Sequence, residues 1–571
     1  MKLVVEKKRR IFIPDELMIN GWSDLQPFFD NLRDRDLPDA VALRHWLLDL
    51  SELEAVVEED AAWRYIRMTV NTSDTETTAA YETFIKDIQP QMAPYGDVLN
   101  KKLADHPDAG DLEGSAFRIY LRGIRNAIRI FREKNIPLQT ELQSLAQQYS
   151  ALNGSMQVEL DGETLTMQAA SAKLQDVNRD YRERVFRAVD AVRTQHIAEL
   201  DQIFDAMVAL RDEVARNADH PDYRSFMFAS LGRFDYTIQD CLDFHNSIER
   251  EIVPLAKASH ERRKANLNVD ALRPWDLAVD PEGRPPLRPF TDDKDLLHKS
   301  IAVFDRIDPF FGDCLRSMHT LNQLDLGSKT GKAPGGYNYP LYETGLPFIF
   351  MNAVGTQRDL VTMMHEGGHA VHSVLSHPLE LTSFKSCPSE VAELASMSME
   401  LISMDHWDLF YDTPEDTIRA KREHLEDLLV TLPWIARIDA FQHWIYTNPK
   451  HDAADRAEYW KHLGMRFGTG VVDFSGFDMQ LSHGWQRQLH LFEVPFYYIE
   501  YAMAQLGAIA VWRNYKLNPE FALAQFKKAL ALGYTRPISE IYEAAGIDFD
   551  FSPLYLKQLA KFVNAELQAL T

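Results

Sequence analysis

The chain has 571 residues, of which 45% are hydrophobic, so it is long enough to bury a large core. Its 61 basic and 85 acidic residues give a net charge of −24, which opposes binding to nucleic acid and to anionic membranes. No apolar run approaches the ~18 residues of a transmembrane helix. We therefore expect neither a nucleic-acid-binding protein nor a membrane protein.

The first half of the chain has a helical pattern with one interruption. Amphipathic segments run from about residue 24 to residue 150. Alternating runs at 156–160 and 163–167 then flank Asp161 and Gly162, a dipeptide that strongly predicts a two-residue hairpin turn. A charged helical stretch follows at 174–216, and a proline-rich segment at 273–289 predicts a loop.

The segment 365–369 has the sequence H-E-G-G-H, the spacing of a metalloprotease zinc site. On a helix, His365 and His369 share one face and can bind one Zn²⁺, while Glu366 can act as a general base on a water molecule. A buried helix with two hydrogen-bonded histidines would fit the same five residues. His372 lies two turns from His365, too far to share the ion, and is predicted either to contact a ligand residue or to be structural.

The surroundings of the motif predict a helix. Thr356 and Asp359 have the spacing of a capping box, and apolar residues recur at helical spacing after them. Gly367 and Gly368 oppose a helix, because each costs up to ~1 kcal/mol relative to alanine in a helix interior. Two glycines together indicate that another part of the chain packs closely against the backbone there.

A third ligand is expected from the segment 386–400, which contains Glu390, Glu393 and Glu400. Pro388 suits the first turn of a helix. Clustered glutamates usually mark a solvated face, but the apolar neighbours here predict buried carboxylates, which require a positive partner. Position on the helical wheel does not choose among the three glutamates.

These residues resemble the thimet oligopeptidase and oligoendopeptidase F group of zinc metallopeptidases, in which H-E-x-x-H is followed by E-x-x-S-x-x-x-E. The second pattern fits residues 393–400, which begin 24 residues after His369. The resemblance implies Glu393 as the third ligand of one Zn²⁺ per chain, with Glu400 orienting a ligand histidine. Glu390 remains the alternative ligand.

The resemblance extends to segments on both sides of the motif. Upstream, Gly335, Gly336 and Tyr337 precede an apolar run at 347–352; in the family this region forms strands whose edge binds the substrate backbone. An ordinary buried hairpin is the alternative there. Downstream, the resemblance implies His490, Tyr498 and Tyr501 as stabilisers of an oxyanion. An aromatic core face is the alternative for them.

Two neighbours of these downstream residues have separate expectations. Arg487 is a candidate for binding a substrate carboxylate or for a structural ion pair. Tyr497 points elsewhere on a helical wheel and is expected to pack.

The resemblance implies a mainly α fold: a two-lobed helical shell around a deep substrate channel, with a small β-sheet beside the zinc site. We expect residues 1–190 to form a helical N-terminal lobe with a small hairpin, and residues 191–571 to form the catalytic region and contribute to both lobes. The proline-rich segment is then an insertion in the catalytic half.

The implied function is zinc-dependent hydrolysis of internal peptide bonds in short oligopeptides. A helical zinc carboxypeptidase and a non-catalytic peptide-binding relative are the alternatives. Cys241, Cys314 and Cys387 are odd in number and far apart, which predicts neither a disulfide framework nor a cysteine-type zinc site. Charges at residues 7–10 interrupt any signal-peptide core, so we expect a cytoplasmic enzyme.

Overall fold

Helix-forming sequence dominates the chain, and the computed structural model is mainly α. It describes residue 5 and residues 7–112, 114–329, 331–333 and 335–570. The helices of the N-terminal half are α1 Trp22–Asp34, α2 Ala40–Val70, α3 Thr75–Thr83, α4 Gln89–Ala104, α5 Ser115–Ile130, α6 Ile136–Ser155, α7 Met167–Ala172, α8 Arg179–Gln195, α9 Ile197–Asn217, α10 Tyr223–Ser230, α11 Ile238–Glu251 and α12 Val253–Asn266.

The second half of the chain continues this pattern. Its helices are α13 Asp293–Ile307, α14 Pro309–Thr320, α15 Gln357–Ser376, α16 Thr382–Lys385, α17 Ser389–Ser403, α18 Pro414–Thr447, α19 Ala453–Phe467, α20 Asp478–His483, α21 Leu489–Glu493, α22 Tyr498–Leu517, α23 Pro519–Leu530, α24 Ile538–Ala544 and α25 Pro553–Ala569. Shorter 3₁₀ and π turns join several of them. Among the described residues, no helix combines the length and apolarity that crossing a membrane requires.

The predicted hairpin is confirmed. Strands β1 Gln157–Leu160 and β2 Glu163–Thr166 pair antiparallel, with Gln157 opposite Thr166. Asp161 and Gly162 have φ of 52° and 86°, the two positive values that a tight hairpin turn requires and that aspartate and glycine tolerate.

A second sheet lies beside the helix of the H-E-x-x-H motif. Its strands are β3 Leu324–Gly327, β4 Tyr337–Tyr339 and β5 Phe348–Ala353, in the order β3–β5–β4. The β3–β5 pairing is parallel and the β4–β5 pairing is antiparallel. Both β4 and β5 pack on α15, so the expected small sheet beside the motif is confirmed, as is the mainly α class.

The proline-rich segment 273–289 is a loop, as predicted, apart from a 3₁₀ turn at Pro274–Asp276. The carboxylate of Asp276 is fully buried and accepts hydrogen bonds from Arg179 and Arg182, each at 2.8 Å. Burial alone would raise the pKa of Asp276, but these arginines and the backbone N–H of Arg273 hold it below its usual value. The loop is therefore anchored by a buried ion pair.

Two compact units are formed from interleaved parts of the chain. The first contains Met1–Arg129, Arg288–Thr417 and Ala504–Phe549, and the second contains Ile130–Leu287, Ile418–Met503 and Asp550–Thr571. The first has a core of apolar side chains from α1, α2, α4 and α5, and the second has an apolar cluster beneath the hairpin. No boundary between these units falls at residue 190. The division of the chain into residues 1–190 and 191–571 stays a prediction.

Candidate active site

The helix carrying the motif begins where the sequence predicts. The backbone N–H of Asp359 donates to Thr356 Oγ1 at 3.3 Å, and Asp359 Oδ2 accepts from the backbone N–H of Thr356 at 2.8 Å. This reciprocal capping fixes the first turn of α15. His365 and His369 lie one turn apart on the same face, with ring centroids 4.9 Å apart.

The two glycines of the motif are explained by close packing inside the first unit. A Cβ atom on Gly367 would overlap the buried ring of Phe304. A Cβ atom on Gly368 would lie 2.7 Å from Ala395 O and from Ser396 Cα. The backbones of α15 and α17 are therefore in direct contact, which brings the glutamates of α17 to the histidine face of α15.

Three potential metal ligands converge in this unit. One donor atom from each of His365, His369 and Glu393 lies within 4.8 Å of the other two. Glu393 Oε2 is 3.3 Å from His365 Nε2 and 3.6 Å from His369 Nε2. Of the glutamates considered from the sequence, the one in this group is Glu393 rather than Glu390, which is also buried on α17.

Glu366 lies next to this group and has an unsatisfied oxygen. Its side chain is 6% exposed, and its Oε2 atom has no hydrogen-bond partner. Burial raises the pKa of Glu366 to about 7; the neighbouring Glu393 and Glu400 add to the increase and His365 opposes it. An unpartnered buried carboxylate with a pKa near neutrality suits a general base acting on water.

Glu400 contacts the other nitrogen of the first histidine. The Nδ1–H group of His365 donates to Glu400 Oε1 at 2.7 Å, which leaves the Nε2 lone pair to face Glu393 and a cation. Ser396 Oγ donates to Glu393 Oε2 at 2.9 Å and holds that carboxylate in place. Two histidines, a carboxylate and an unpartnered glutamate oxygen fit a zinc ion and an adjacent water molecule.

Electrostatics inside this group agree with a cation-binding role. Burial lowers the pKa of His365, but hydrogen bonding to Glu393 and Glu400 outweighs it and raises that pKa well above its usual value, because both carboxylates stabilise a positive charge on the ring. A metal ion at Nε2 would take the place of the proton there. Burial raises the pKa of Glu393, but the two histidines and Ser396 bring it to about 2. Burial lowers the pKa of His369 to about 4, so this ring is neutral at pH 7, the form that binds metal.

The edge strand β4 is held close to this group. Asn338 Nδ2 donates to the carbonyl oxygen of Glu366 at 3.2 Å. A Cβ atom on Gly336 would lie 3.3 Å from Phe350 O, so glycine permits a close approach to β5. Tyr337 stacks on Phe350 at 4.7 Å and its hydroxyl is 2.6 Å from Thr69 Oγ1, so its ring packs between β5 and α2.

The loop before β4 is fixed by one buried lysine. Lys332 Nζ donates to Asp325 Oδ1 at 2.6 Å, to the carbonyl oxygen of Gly327 at 2.9 Å and to that of Met351. Asn352 Nδ2 also donates to the carbonyl oxygen of Gly335 at 2.9 Å. Lys332 is not predictable from the sequence, because a lysine in a polar loop carries no signal that its ammonium group is buried.

The downstream residues form a cluster in the second unit. The His490 ring centroid is 4.6 Å from that of Tyr498 and 6.0 Å from that of Tyr501, and the two tyrosines are 5.7 Å apart. Tyr497 joins them, nearly parallel to His490 at 6.1 Å. Tyr497 packs, as expected, with its ring 5.3 Å from that of Tyr501, although it precedes α22 rather than lying on its wheel.

Arg487 also lies in the second unit, with its guanidinium 4.7 Å from the centre of the Trp434 ring. Desolvation and the nearby Arg193 lower the pKa of Arg487 to about 10. Among the described residues, no carboxylate forms an ion pair with it. The structural ion pair that was the alternative for Arg487 is therefore not found among the described residues.

A second group of metal-ligand side chains, Cys241, Asp439 and His443, is also buried and within 4.8 Å in the second unit. Arg224 Nη1 donates to His443 Nδ1 at 3.4 Å, and His443 Nε2 lies 3.1 Å from Asp439 Oδ2 without forming a hydrogen bond. His245 Nε2 also donates to Asp439 Oδ2 at 2.8 Å. Hydrogen bonds from Arg224 and His245 therefore already engage His443 and Asp439 of this group.

The fold and the first group together define a mainly α protein with an H-E-x-x-H metal-binding group. The sequence model for "Peptidase family M3" matches residues 173–561, and that for "Peptidase M3 N-terminal domain" matches residues 21–131. The chain therefore belongs to peptidase family M3.

Relatives support this assignment. Oligopeptidase PepF of Bacillus subtilis is 22% identical over 403 residues, covering 70% of this chain and 58% of the relative. The oligoendopeptidase F homolog of Mycoplasma pneumoniae is 24% identical over 357 residues, 58% of this chain and 56% of the relative. The matched region thus spans little more than half the length of either relative.

A solved structure is similar over nearly the whole chain. The structure of PZ peptidase A with inhibitor 2 superposes with a TM-score of 0.90 at 25% identity, covering 98% of this chain and 99% of that one. The resemblance to oligoendopeptidase F inferred from the sequence is confirmed. The carboxypeptidase and non-catalytic alternatives are not favoured by these relatives.

Proposed function

We propose that the protein is a zinc-dependent endopeptidase that hydrolyses internal bonds of short oligopeptides. The observation that carries this proposal is the convergence of His365, His369 and Glu393 beside the unpartnered Oε2 of Glu366. The relatives named oligopeptidase and oligoendopeptidase support the substrate class. In this proposal the three converging residues hold one catalytic Zn²⁺.

When bound, zinc polarises the scissile carbonyl and makes a water molecule more acidic. Glu366 accepts a proton from that water and passes it to the leaving amine, a role that its raised pKa favours. Glu400 holds the proton of His365 on Nδ1 through the 2.7 Å contact and so keeps Nε2 available as a ligand.

His490, Tyr498 and Tyr501 are proposed to donate hydrogen bonds to the oxyanion that forms at the attacked carbonyl. Their clustering in the second unit supports a shared role. Loss of one such donor typically lowers kcat by about 10²–10³.

The peptide backbone is proposed to pair with β4 around Gly335, Gly336 and Tyr337. In the described part of the chain this strand is paired on one edge only, and backbone pairing needs little side-chain sequence. Arg487 is proposed to bind a carboxylate of the peptide, which agrees with its lack of an ion-pair partner among the described residues. Peptides are the proposed partners, without nucleic acid or membrane, and the location is proposed to be cytoplasmic.

The test uses internally quenched peptides blocked at both ends, with and without a chelator. Wild-type protein is expected to cleave them at internal bonds, to lose activity with the chelator and to regain it with Zn²⁺. Glu366→Gln should retain zinc and lose about 10²–10⁴ in kcat. Glu415→Gln, at an exposed position in the first turn of α18, is the matched control and should leave the rate unchanged.

Two results would contradict the proposal. One is cleavage by Glu366→Gln at a rate near that of the wild type. The other is removal of residues from free C-termini only, with blocked peptides left intact.

A further inference from the structure

A hydrogen-bonded chain in the second unit leads from Trp434 to His490. The indole Nε1–H of Trp434 donates to Gln488 Oε1 at 3.0 Å. The Nε2 group of Gln488 then contacts His490 Nδ1 at 2.8 Å. An indole N–H can only donate, so the oxygen of the Gln488 amide must face Trp434 and its NH₂ group must face His490.

This arrangement determines which nitrogen of His490 carries the proton. Because the Gln488 amide donates to Nδ1, Nδ1 must be the acceptor and the proton of the neutral ring must lie on Nε2. Burial lowers the pKa of His490 to about 4, so the neutral form dominates at pH 7. A neutral ring with an Nε2–H group is a hydrogen-bond donor, which is what stabilisation of an oxyanion requires.

The same two residues contact the neighbours of His490. The Arg487 guanidinium lies on the Trp434 ring, 4.7 Å from its centre. Burial raises the pKa of Tyr498, whereas Arg487 and hydrogen bonding to Gln488 and Trp434 oppose the increase. Trp434 and Gln488 therefore contact Arg487, His490 and Tyr498, which are proposed to bind the substrate or to stabilise the oxyanion.

We propose that Gln488 and Trp434 are positioning residues that hold His490 in its Nε2–H tautomer, with Trp434 fixing the Gln488 amide through its indole N–H. The proposal rests on the proposed function, because it assigns a use to the Nε2–H group of His490. In this proposal Gln488 and Trp434 affect the reaction through His490, and they neither touch the scissile bond nor bind metal.

The first test reads the tautomer without reference to activity. In protein labelled with ¹⁵N-histidine, the His490 signals, assigned by comparison with His490→Phe, are expected to show a protonated Nε2 in the wild type. Gln488→Glu places a carboxylate oxygen against Nδ1 and should move the proton to Nδ1. A wild-type ring protonated at Nδ1, or a Gln488→Glu ring unchanged from the wild type, would overturn the proposal.

The second test is a double-mutant cycle on peptide cleavage. Gln488→Met should lower kcat by about 10-fold or more, with KM and zinc content close to those of the wild type. In the His490→Phe background the same substitution should have no further effect, because Gln488 acts through His490. Effects on kcat that multiply independently would show a separate structural role and overturn the proposal.

Two further variants complete the cycle. Trp434→Phe keeps the ring beneath Arg487 but removes the indole donor, and it should lower kcat in the wild type but not in His490→Phe. Gln480→Met is the matched control, since Gln480 donates to Asp190 in the same unit at 2.7 Å and is expected to leave kcat unchanged. If wild-type protein cleaved no peptide, the proposed function would fail, and the ¹⁵N measurement would still decide the tautomer of His490 by itself.

Discussion

Gly368→Ala is expected to weaken zinc binding although alanine is the better helix former. The added Cβ would lie 2.7 Å from Ala395 O, whereas ordinary van der Waals contact begins at 3.4 Å. The two helices would therefore have to separate by about 0.7 Å (3.4 − 2.7 Å). Both atoms that the Cβ meets belong to the backbone of α17, so no side-chain rotation relieves the overlap.

The magnitude follows from two opposing terms. Overpacking of this kind costs about 1–3 kcal/mol, while the helix propensity of alanine returns up to ~1 kcal/mol. A net loss of up to about 2 kcal/mol in the free energy of unfolding is expected. Glu393 lies on the same helix, two residues before Ala395, and ligand distances tolerate only about ±0.2 Å. Zinc affinity should therefore fall by about 10–100-fold, the scale found when an outer partner of a ligand is lost.

The assay measures zinc affinity by competition with a chelator, and stability by denaturant unfolding of metal-free protein. Gly123→Ala is the control, because Gly123 lies inside α5 with nothing within 4 Å of its would-be Cβ. The free energy of unfolding of Gly123→Ala should rise by up to ~1 kcal/mol, and its zinc affinity should equal that of the wild type. If Gly368→Ala behaved like Gly123→Ala in both measurements, the close packing of α15 on α17 would be refuted.

Three other substitutions have outcomes set by single contacts. Glu400→Ala removes the acceptor of His365 Nδ1–H and should weaken zinc binding by about 10–100-fold in the same chelator assay; unchanged affinity would contradict this role. Lys332→Met should raise KM more than it lowers kcat, because the loop before β4 loses its anchor. It should also speed amide hydrogen exchange at residues 335–339, and exchange as slow as in the wild type would contradict the anchoring role of Lys332. Asp276→Asn leaves the buried Arg182 poorly paired and should cost about 3–5 kcal/mol at pH 7 in denaturant unfolding. Because the folded pKa of Asp276 is lowered, its stabilisation is present above the unfolded pKa of about 3.9 and is lost as pH falls through the folded value. The difference in the free energy of unfolding between the variant and the wild type should therefore become smaller below about pH 4. A difference that stayed constant with pH would contradict a stabilising ion pair.

Local signals in the sequence predicted the elements that depend on local chemistry. The hairpin turn at Asp161 and Gly162 needs two positive φ values, which these residues supply by themselves. The start of α15 depends on Thr356 and Asp359, three residues apart. Both predictions were correct because the interacting groups are close in the chain.

Contacts between distant segments were only partly predictable. The two glycines of the motif indicated close packing, but not that Phe304 and α17 were the partners. Periodicity did not choose Glu393 from its neighbours; the family resemblance did. Gln488 stands two residues before His490, yet no spacing rule shows that its amide contacts the ring, because that orientation depends on Trp434, 54 residues away in the chain.

The interleaved order of the segments has a consequence for synthesis on the ribosome. Within the first unit, Arg122 Nη2 donates to Tyr534 OH at 3.3 Å, across 412 residues of chain. At about 5–20 residues per second, the N-terminal segment waits roughly 20–80 s for the last part of its own unit to be made. During that interval the apolar faces of α1, α2 and α5 lack some of their final partners. The nascent chain is therefore expected to depend on chaperones until residue 549 has emerged, and a transcript truncated before residue 504 cannot complete this unit.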